Sequence, residues 1–340
     1  ATDSFNVAVG DRAGAAVTTG TLNTLIGGLA GDAITTGNSN VAVGYQTLSA
    51  DTLGDRNVAI GLQALMSQNF TSSTDSYNTA VGYAAGLSVT TGQVNTLVGG
   101  LSGDALTTGG ENTAIGYKTL SANTTGAYNT ALGSRALANF NNTTSAGTYN
   151  TAVGYNAGND VTTGVENTII GGLAGDALTE GGLNVAVGTS ALGVDTKGSR
   201  NVAVGVSALN QQNFTSATNS YNTGVGYQAG GAVTTGVQNT LIGGLAGDAL
   251  TSSSDNTAVG YQALGSAITG NENTAVGHSA LFTNILSDRN VALGLDALRN
   301  HNQASSIDSY NTAVGYNTGA AVTTGVKNTL IGGLAGDAIT

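Results

Sequence analysis

The chain lacks cysteine, proline and tryptophan altogether, and only 9% of its 340 residues are charged. Without cysteine no disulfide can form, so the sequence carries no information about a redox compartment. Its nine lysines and arginines are dispersed and the net charge is −11. That balance disfavours nucleic acid and anionic membrane surfaces as partners, because both need basic patches. No apolar run approaches the length that spans a bilayer, so we expect no membrane insertion.

Residues that commonly carry catalysis are also scarce. The only histidines are His278 and His301, and neither belongs to a repeated cluster. The sequence contains no HExxH or GxSxG motif and no pair of carboxylates at a defined spacing. We therefore expect no catalytic residue, no resident metal and no cofactor, and we predict that the protein is not an enzyme.

What the chain has instead is one motif, Asn-[Thr/Val]-x-[Val/Ile/Leu]-Gly, repeated nineteen times. Most motifs follow one another at the same short interval, which separates Asn6 from Asn23, and four intervals are longer by four positions. The long intervals follow Asn57, Asn129, Asn201 and Asn290, so four coils form a super-repeat, and the last full one carries an extra coil. The repeated asparagines are Asn6, Asn23, Asn40, Asn57, Asn78, Asn95, Asn112, Asn129, Asn150, Asn167, Asn184, Asn201, Asn222, Asn239, Asn256, Asn273, Asn290, Asn311 and Asn328.

Each coil is numbered here from its asparagine, which is position 0. Thr or Val at +1, an aliphatic at +3 and Gly at +4 predict a short strand that ends in a turn. Position +8 is Leu or Gly, and where it is Gly an aliphatic residue stands at +11, which indicates one core slot filled from either of two backbone positions. Gly at +14 predicts a turn with positive φ. Both orientations of the strand, with +1 and +3 inward or with +2 inward, fit the pattern.

A unit as short as one coil cannot bury its own apolar face, but stacked units can. We therefore predict an all-β fold, a parallel β-solenoid or β-roll of about 19 coils with two short strands in each. It would form a single continuous array over residues 1–340, uncapped at both ends, and with about 4.8 Å for each coil it would be a rod roughly 90 Å long. The asparagines would stack as a ladder in which amide bonds to amide along the axis.

Two runs, NVAVGVSAL at 201–209 and NTAVGYQAL at 256–264, resemble the head repeats of trimeric autotransporter adhesins, and similar runs occur in phage tail fibres. The resemblance extends over the whole chain, although the coil here is longer and is organised into a super-repeat of four coils. It implies a left-handed parallel β-roll that trimerises. We therefore expect a homo-oligomer.

The run NTLIGGLAGDA occurs at 23–33, 239–249 and 328–338, with close variants at 95–105 and 167–177. A phosphate loop would need a helix and usually a lysine after the glycines, and neither follows. The run also resembles a calcium-binding GGxGxDxL repeat. We favour a tight corner whose Asp caps turn amides. The calcium candidates are Asp32, Asp104, Asp176, Asp248 and Asp337.

Aromatic residues gather around the four long loops at 67–77, 139–149, 211–221 and 300–310. Every tyrosine stands at −1 or +5, and both positions are filled after each long loop. These residues either wall the corner beneath the loop, which we favour, or contact a glycan or another subunit. The possible recognition residues are Phe70, Tyr77, Tyr83, Phe140, Tyr149, Tyr155, Phe214, Tyr221, Tyr227, Tyr310 and Tyr316.

These features together favour a structural role outside the cell. We predict a stiff filament or appendage at a cell or virion surface, formed by side-by-side or end-to-end association of copies. Joining Thr340 to Ala1 would separate Asn328 from Asn6 by close to one coil, which fits either copies stacked end to end or a window on a longer fibre. The alternative is an adhesin head or phage tail-fibre segment that binds a cell-surface receptor or glycan through its periodic loops.

Overall fold

A computed structural model describes residues 3–143 and 147–340. The chain forms two compact units, Ala1–Asn167 and Thr168–Thr340. Both are parallel β-solenoids with a 17-residue spacing, about 19 turns in all, so the predicted all-β solenoid class is confirmed. Each turn corresponds to one coil of the sequence repeat. None of the described residues belongs to a helix that is long and apolar enough to cross a membrane.

The described residues of the first unit form nine three-residue strands, each beginning directly after a repeated asparagine, and two strands of two residues. They are β1 (Val7–Val9), β2 (Thr24–Ile26), β3 (Val41–Val43), β4 (Gly54–Asp55), β5 (Val58–Ile60), β6 (Thr74–Asp75), β7 (Thr79–Val81), β8 (Thr96–Val98), β9 (Thr113–Ile115), β10 (Thr130–Leu132) and β11 (Thr151–Val153). The three-residue strands pair in parallel with equivalent residues side by side, as in Thr79 with Thr96.

The second unit repeats this arrangement with ten three-residue strands. Its strands are β12 (Thr168–Ile170), β13 (Val185–Val187), β14 (Gly198–Ser199), β15 (Val202–Val204), β16 (Thr218–Asn219), β17 (Thr223–Val225), β18 (Thr240–Ile242), β19 (Thr257–Val259), β20 (Thr274–Val276), β21 (Ser287–Asp288), β22 (Val291–Leu293), β23 (Ile307–Asp308), β24 (Thr312–Val314) and β25 (Thr329–Ile331). Its register is likewise direct, as in Val185 opposite Val202.

The prediction of two strands in every turn is wrong. Among the described residues a second strand occurs only beside a long loop, where β4 pairs with β6, β14 with β16, and β21 with β23. Each of these strands is only two residues long. They form beside a long loop because the inserted residues bring a second extended segment alongside the preceding turn. In the other turns that edge consists of bends and turns.

The strands place +2 in the core and +1 and +3 outside. Ala42, at +2 of its turn, is fully buried, whereas Ile26 and Ile60, both at +3, are each 38% exposed. Successive side chains of a strand point to opposite faces, so one buried position determines the other two. The orientation left open by the sequence pattern is therefore +2 inward.

The core slot at +8 and +11 is filled as the sequence predicts. Leu48 stands at +8 and is fully buried. Where +8 is Gly31, a Cβ would lie 2.8 Å from Cδ1 of Ile34 and 2.8 Å from Cδ2 of Leu25, so the aliphatic residues at +11 and +2 already occupy that space. Leu48 and Gly31 both have positive φ, 50° and 56°, so the backbone is the same for either residue.

Glycine is invariant at +4 and preferred at +14, and the two positions favour it for different reasons. Gly44, at +4, has a φ of 136°, and a Cβ there would lie 2.7 Å from the carbonyl oxygen of Gly61 on the next turn. Gly37, at +14, lies outside the positive-φ region, so the predicted left-handed turn is wrong. A Cβ at Gly37 would instead meet the carbonyl oxygen of Gly54 at 2.6 Å. Close approach between turns therefore explains the +14 preference.

Candidate functional site

The repeated asparagines stack in the interior of each unit, but the most regular bond is not between their amides. The backbone N–H of Asn95 donates to Oδ1 of Asn78 at 2.9 Å, and the backbone N–H of Asn112 donates to Oδ1 of Asn95 at 3.1 Å. The amide-to-amide contact accompanies it, with Nδ2 of Asn95 3.2 Å from Oδ1 of Asn78. The stack therefore satisfies buried backbone groups as well as side chains.

The same side chains also close each turn on itself. Nδ2 of Asn23 donates to the carbonyl oxygen of Gly37, at +14 of the same turn, at 2.8 Å, and Asn40 does the same to Gly54 at 2.9 Å. Asparagine serves both bonds because its short side chain ends in an acceptor, Oδ1, for the N–H of the next turn and a donor, Nδ2, for the carbonyl oxygen at +14. The ladder is therefore a structural element, and its members from Asn23 to Asn311 are buried.

A buried polar chain that the sequence analysis missed lies at the long turns. Nε2 of Gln68 donates to Oδ2 of Asp51 at 2.7 Å, and Nδ2 of Asn78 donates to Oε1 of Gln68 at 2.8 Å. Burial raises the pKa of the Asp51 carboxyl, and the bond from Gln68 opposes that shift. Two super-repeats later the corresponding residues are Asp195, Gln212 and Asn222. Their recurrence after twice the super-period was the available signal.

The other two long turns use different partners at these positions. Asn123 replaces the aspartate, and its side chain bonds twice to Gly126. Oδ1 accepts from the Gly126 N–H and Nδ2 donates to the Gly126 carbonyl oxygen, both at 2.9 Å. The facing residue is accordingly apolar Phe140. In the last long turn His301 faces Asn284, and Nδ1 of the buried His301 has no hydrogen-bond partner. Burial lowers the pKa of His301 to about 4.

The calcium candidates stand on separate turns. In the described ranges no three or more His, Asp or Glu residues group in a way that could hold a metal. Calcium takes about six to eight oxygen ligands. Each candidate would supply one carboxylate, so the geometry gives this hypothesis no support. The candidates are Asp32, Asp104, Asp176, Asp248 and Asp337.

The GGLAGDA run turns a corner, but Oδ1 of its Asp caps no turn amide at Asp32 or at Asp104 of the variant copy. Oδ1 of Asp32 and Oδ1 of Asp104 are buried without a hydrogen-bond partner. Oδ2 of Asp32 lies 3.8 Å from a guanidinium nitrogen of Arg12. Burial raises the pKa of Asp104 and of Asp248. The glycines of the run have steric roles, because Gly27 at +4 and Gly31 at +8 both leave no room for a side chain.

All twelve tyrosines are exposed, by 43% to 57%. Those at −1 after a long loop also pack on the preceding turn. The guanidinium of Arg56 lies 5.6 Å from the centre of the Tyr77 ring, and Tyr149 stacks on Tyr128 with ring centres 5.1 Å apart. Tyr221 and Tyr310 lie under Arg200 and Arg289 in the same way. The tyrosines at +5, Tyr83, Tyr155, Tyr227 and Tyr316, are equally open, so contact of both sets with a partner stays a prediction.

The three phenylalanines among the recognition candidates are buried instead. Phe70 is 4% exposed, Phe140 is fully buried and Phe214 is 7% exposed. Phe70 and Phe214 lie beside the polar chain of their long turns, where their backbone N–H groups donate to Asp51 and Asp195. Phe140 instead takes the place of the glutamine in its own long turn. They are therefore unavailable to a ligand, which corrects that part of the prediction. Residues 144–146 of the loop at 139–149 lie outside the described residues.

The outward side chains of the three-residue strands form a regular apolar surface on each unit. We call it the sheet face, and it consists of positions +1 and +3, bordered by −1 and +5. Position +1 is always Thr or Val and position +3 is always Val, Ile or Leu, so no charged residue occurs on its two central rows. Ile26, Ile60 and Leu132 in the first unit and Ile170 and Ile242 in the second are each exposed by 38% to 43%.

Two shallow grooves lie at another edge of the turns, along positions +6, +9 and +10. The one in the first unit has a volume of about 290 Å³ and is lined by Lys118, Ser121, Arg135, Ala138, Asn139 and Asn159. The one in the second unit, of about 270 Å³, is lined by Ser207, Asn210, Gln211, Gln228, Gly231, Ala232 and Asp248. The first lining contains two cations and no acid, and the second contains one acid and no cation.

No known family model matches this chain, and no curated protein is similar enough to count as a relative. The functional argument therefore rests on the geometry of the turns and on the surfaces that they expose.

Proposed function

We propose that copies of this chain associate side by side through the sheet face and form a stiff, non-enzymatic fibre outside the cell. The observation that supports this is the aliphatic residue at +3, which is present in all nineteen turns although it points outward. Strand propensity alone does not explain this, because threonine suits an exposed strand position and is common at +1, yet it never stands at +3. A partner that covers position +3 would explain why it is always aliphatic.

The chemistry of the sheet face suits burial. Parallel sheets normally have both faces covered, and here the outer face is open in a single chain. Interface centres are depleted of charge and their rims are polar. The sheet face has that pattern, because +1 and +3 are uncharged and position −1 carries residues such as Arg56 and Glu111 along one border.

A second copy is the partner that fits this surface best. Its side chains recur at every turn, so only a partner with the same rise per turn keeps its contacts in step along the whole face. In the first unit, nine turns of about 4.8 Å and a width of roughly 20 Å give an area of roughly 900 Å². A stable interface buries about 800 Å² on each partner. The face of one unit is therefore large enough.

Stiffness follows from the way the turns are joined. Strand pairing and the asparagine stack connect each turn to the next in the same register, without disulfides. The resemblance to trimeric adhesin heads implies three copies in the assembly, and we include a trimer in the proposal. End-to-end stacking of such assemblies would extend the fibre.

The test compares two triple variants of the full chain in sedimentation velocity and electron microscopy. Ile26→Lys, Ile60→Lys and Leu132→Lys together place three charges on the sheet face. Thr36→Lys, Thr91→Lys and Thr108→Lys together place the same charge at +13, where the side chains are exposed and off that face. We expect oligomers or fibres from the native chain and from the +13 variant, and single chains from the sheet-face variant.

Two results would count against the proposal. A native chain that stays single at high micromolar concentration would remove the association itself. Equal association of both triple variants would show that another surface is used. Thermal unfolding of each variant checks that the substitutions leave the fold intact.

Recognition of a receptor or glycan is the second candidate, and the exposure of the +5 tyrosines favours it. Tyr83 and Tyr155 present half-exposed rings, and neither stacks on another aromatic ring among the described residues. Replacing Tyr83, Tyr155, Tyr227 and Tyr316 by serine tests this candidate in a cell- or glycan-binding assay. Loss of binding with unchanged association would separate it from the structural role.

A further inference from the structure

The groove in the first unit combines two cations that the sequence separates by one whole coil. Lys118 and Arg135 both stand at +6, on consecutive turns, and both line the groove. The backbone fixes this arrangement, because the N–H of Arg135 donates to the carbonyl oxygen of Tyr117 on the preceding turn at 2.8 Å. In a chain with a net charge of −11 such a pair is exceptional.

Neither cation is neutralised within the chain. Across the described residues, ion pairs form at Arg12, Arg56, Lys197, Arg289 and Arg299, and no acid lies within that distance of Lys118 or Arg135. The nearest acids are outside the lining. Asp104 acts on Lys118 only at longer range, and Asp160 accepts from the amides of Asn139 and Asn159. The groove thus presents unpaired positive charge.

The remaining lining supplies polar groups suited to sugar hydroxyls. Asn139 and Asn159 offer their carboxamide oxygens, because the Nδ2 of each already donates to Asp160. Ser121 offers its hydroxyl oxygen, because its O–H donates to the carbonyl oxygen of Ala138. The Lys118 ammonium lies 5.7 Å above the ring of the exposed Tyr117, so an aromatic surface adjoins the charge. Charged donors bind carboxylate and sulfate oxygens strongly, and an exposed aromatic ring packs on an apolar sugar face.

We propose that this groove binds the anionic group of an acidic polysaccharide, with Lys118 and Arg135 on its carboxylate or sulfate and the neighbouring amides and hydroxyl on its hydroxyls. The site goes beyond the proposed fibre role and does not rest on it. It uses positions +6, +9 and +10, whereas association uses the sheet face. The groove of the second unit, with Asp248 and no cation, should not take the same ligand.

The chain itself supplies the matched variant. In the first super-repeat Gln46 and Gln63 stand at the positions of Lys118 and Arg135, and Nε2 of Gln63 donates to Oε1 of Gln46 at 3.2 Å. Lys118→Gln with Arg135→Gln therefore copies a pair that this fold already accommodates. Lys197→Gln with Lys327→Gln removes the same net charge elsewhere and is the control.

The experiment is calorimetric titration of the full chain with five probes: oligogalacturonate, sulfated dextran oligomer, neutral dextran oligomer, inorganic sulfate and a single-stranded DNA of the same charge as the acidic oligomers. We expect binding of at least one acidic oligosaccharide, weakened tenfold or more in K118Q/R135Q, changed less than twofold in K197Q/K327Q, and absent with neutral dextran. The acidic oligomer that binds identifies carboxylate or sulfate as the preferred group.

Several outcomes would overturn the proposal. Absence of binding to both acidic oligosaccharides removes the site, and equal binding by the native chain and K118Q/R135Q removes the two cations from it. Binding of inorganic sulfate alone would leave only a simple ion site. Tighter binding of a single-stranded DNA of equal charge would assign a different partner. Because K118Q/R135Q leaves the sheet face unchanged, it should still associate, so failure here and failure of the fibre proposal are distinguishable.

Discussion

Gln68 donates a hydrogen bond to Asp51 at 2.7 Å in the interior of the first unit, between two turns that are adjacent in space. The carboxylate of Asp51 is otherwise held by backbone N–H groups of Gly54 and Phe70. Oε1 of Gln68 accepts from Asn78, so the orientation of the Gln68 amide is fixed, because exchanging its oxygen and nitrogen would break both bonds. The pair thus joins the long turn to the turns before and after it.

Replacing Gln68 with alanine should destabilise the protein by about 2–3 kcal/mol at neutral pH, because a buried carboxylate loses a charged hydrogen bond. The measurement is the midpoint of urea unfolding. The loss should shrink as the pH falls, because removing the donor raises the pKa of Asp51 further and the protonated folded form becomes favourable. The control is Gln63→Ala, at a half-buried position of the same turn, which should lower the free energy of unfolding by less than about 0.5 kcal/mol. Equal losses for the two variants would contradict this interpretation.

Stability should fall as the pH decreases from about 6.5 to about 4 because of His301. Burial lowers the pKa of His301 to about 4 in the folded chain, whereas its ordinary value is 6.5. In that window the unfolded chain binds a proton that the folded chain does not. This lowers the free energy of unfolding by up to roughly 3 kcal/mol. His301→Gln should remove this part of the pH dependence. His278→Gln, at an exposed position, should keep it. Identical slopes for the native chain and the His301 variant would refute the assignment.

Two glycines of the second unit should differ in how much stability is lost when each is replaced by alanine. Gly188 has a φ of 133°, and a Cβ there would lie 2.4 Å from the carbonyl oxygen of Gly205. Gly188→Ala should therefore cost at least about 2 kcal/mol. Gly172 lies outside the positive-φ region and a Cβ there meets nothing within 4 Å, so Gly172→Ala should change stability by less than about 0.5 kcal/mol. Thermal unfolding followed by circular dichroism compares them, and similar midpoints would be the contrary result.

Removing one asparagine of the ladder should have a large local effect. Asn95→Ala leaves the backbone N–H of Asn112 and the carbonyl oxygen of Gly109 without partners in a buried place, at a cost of about 2–4 kcal/mol. Hydrogen exchange by mass spectrometry should show faster exchange in the turns around position 95 than in distant ones. Asn69→Ala, at an exposed loop residue, is the control. Uniform protection in both variants would mean that the ladder is not what holds adjacent turns together.

The solenoid could be predicted from the sequence because each turn repeats the same environment. Asn at 0, an aliphatic at +3 and Gly at +4 recur in every turn, and identical residues that stack in register must satisfy each other. The exchange of Leu48 for Gly31 with Ile34 was predictable for the same reason, since two residues that alternate across turns compete for one volume. The coil period and the exchange between +8 and +11 can both be read by comparing coils along the sequence.

Other features depended on the tertiary structure because they join residues whose spacing has no repeated signal. Strand orientation was undecided, since +2 and +3 are both apolar, until the burial of Ala42 placed +2 inside. The role of Gly37 is a contact with the next turn and not a backbone angle of its own. Phe70 is a loop residue in sequence, but its backbone bonds to Asp51 and its ring is buried.

The candidate ligand site shows the same division. Composition alone determined that the chain is acidic and that its cations are dispersed. Only the stacking of turns brings Lys118 and Arg135, one coil apart in the chain, to the edge of one groove. A solenoid converts one coil of sequence into about 4.8 Å of space, so residues that are distant in the chain become neighbours in a column. Local sequence determines the coil, and stacking decides what the coils present together.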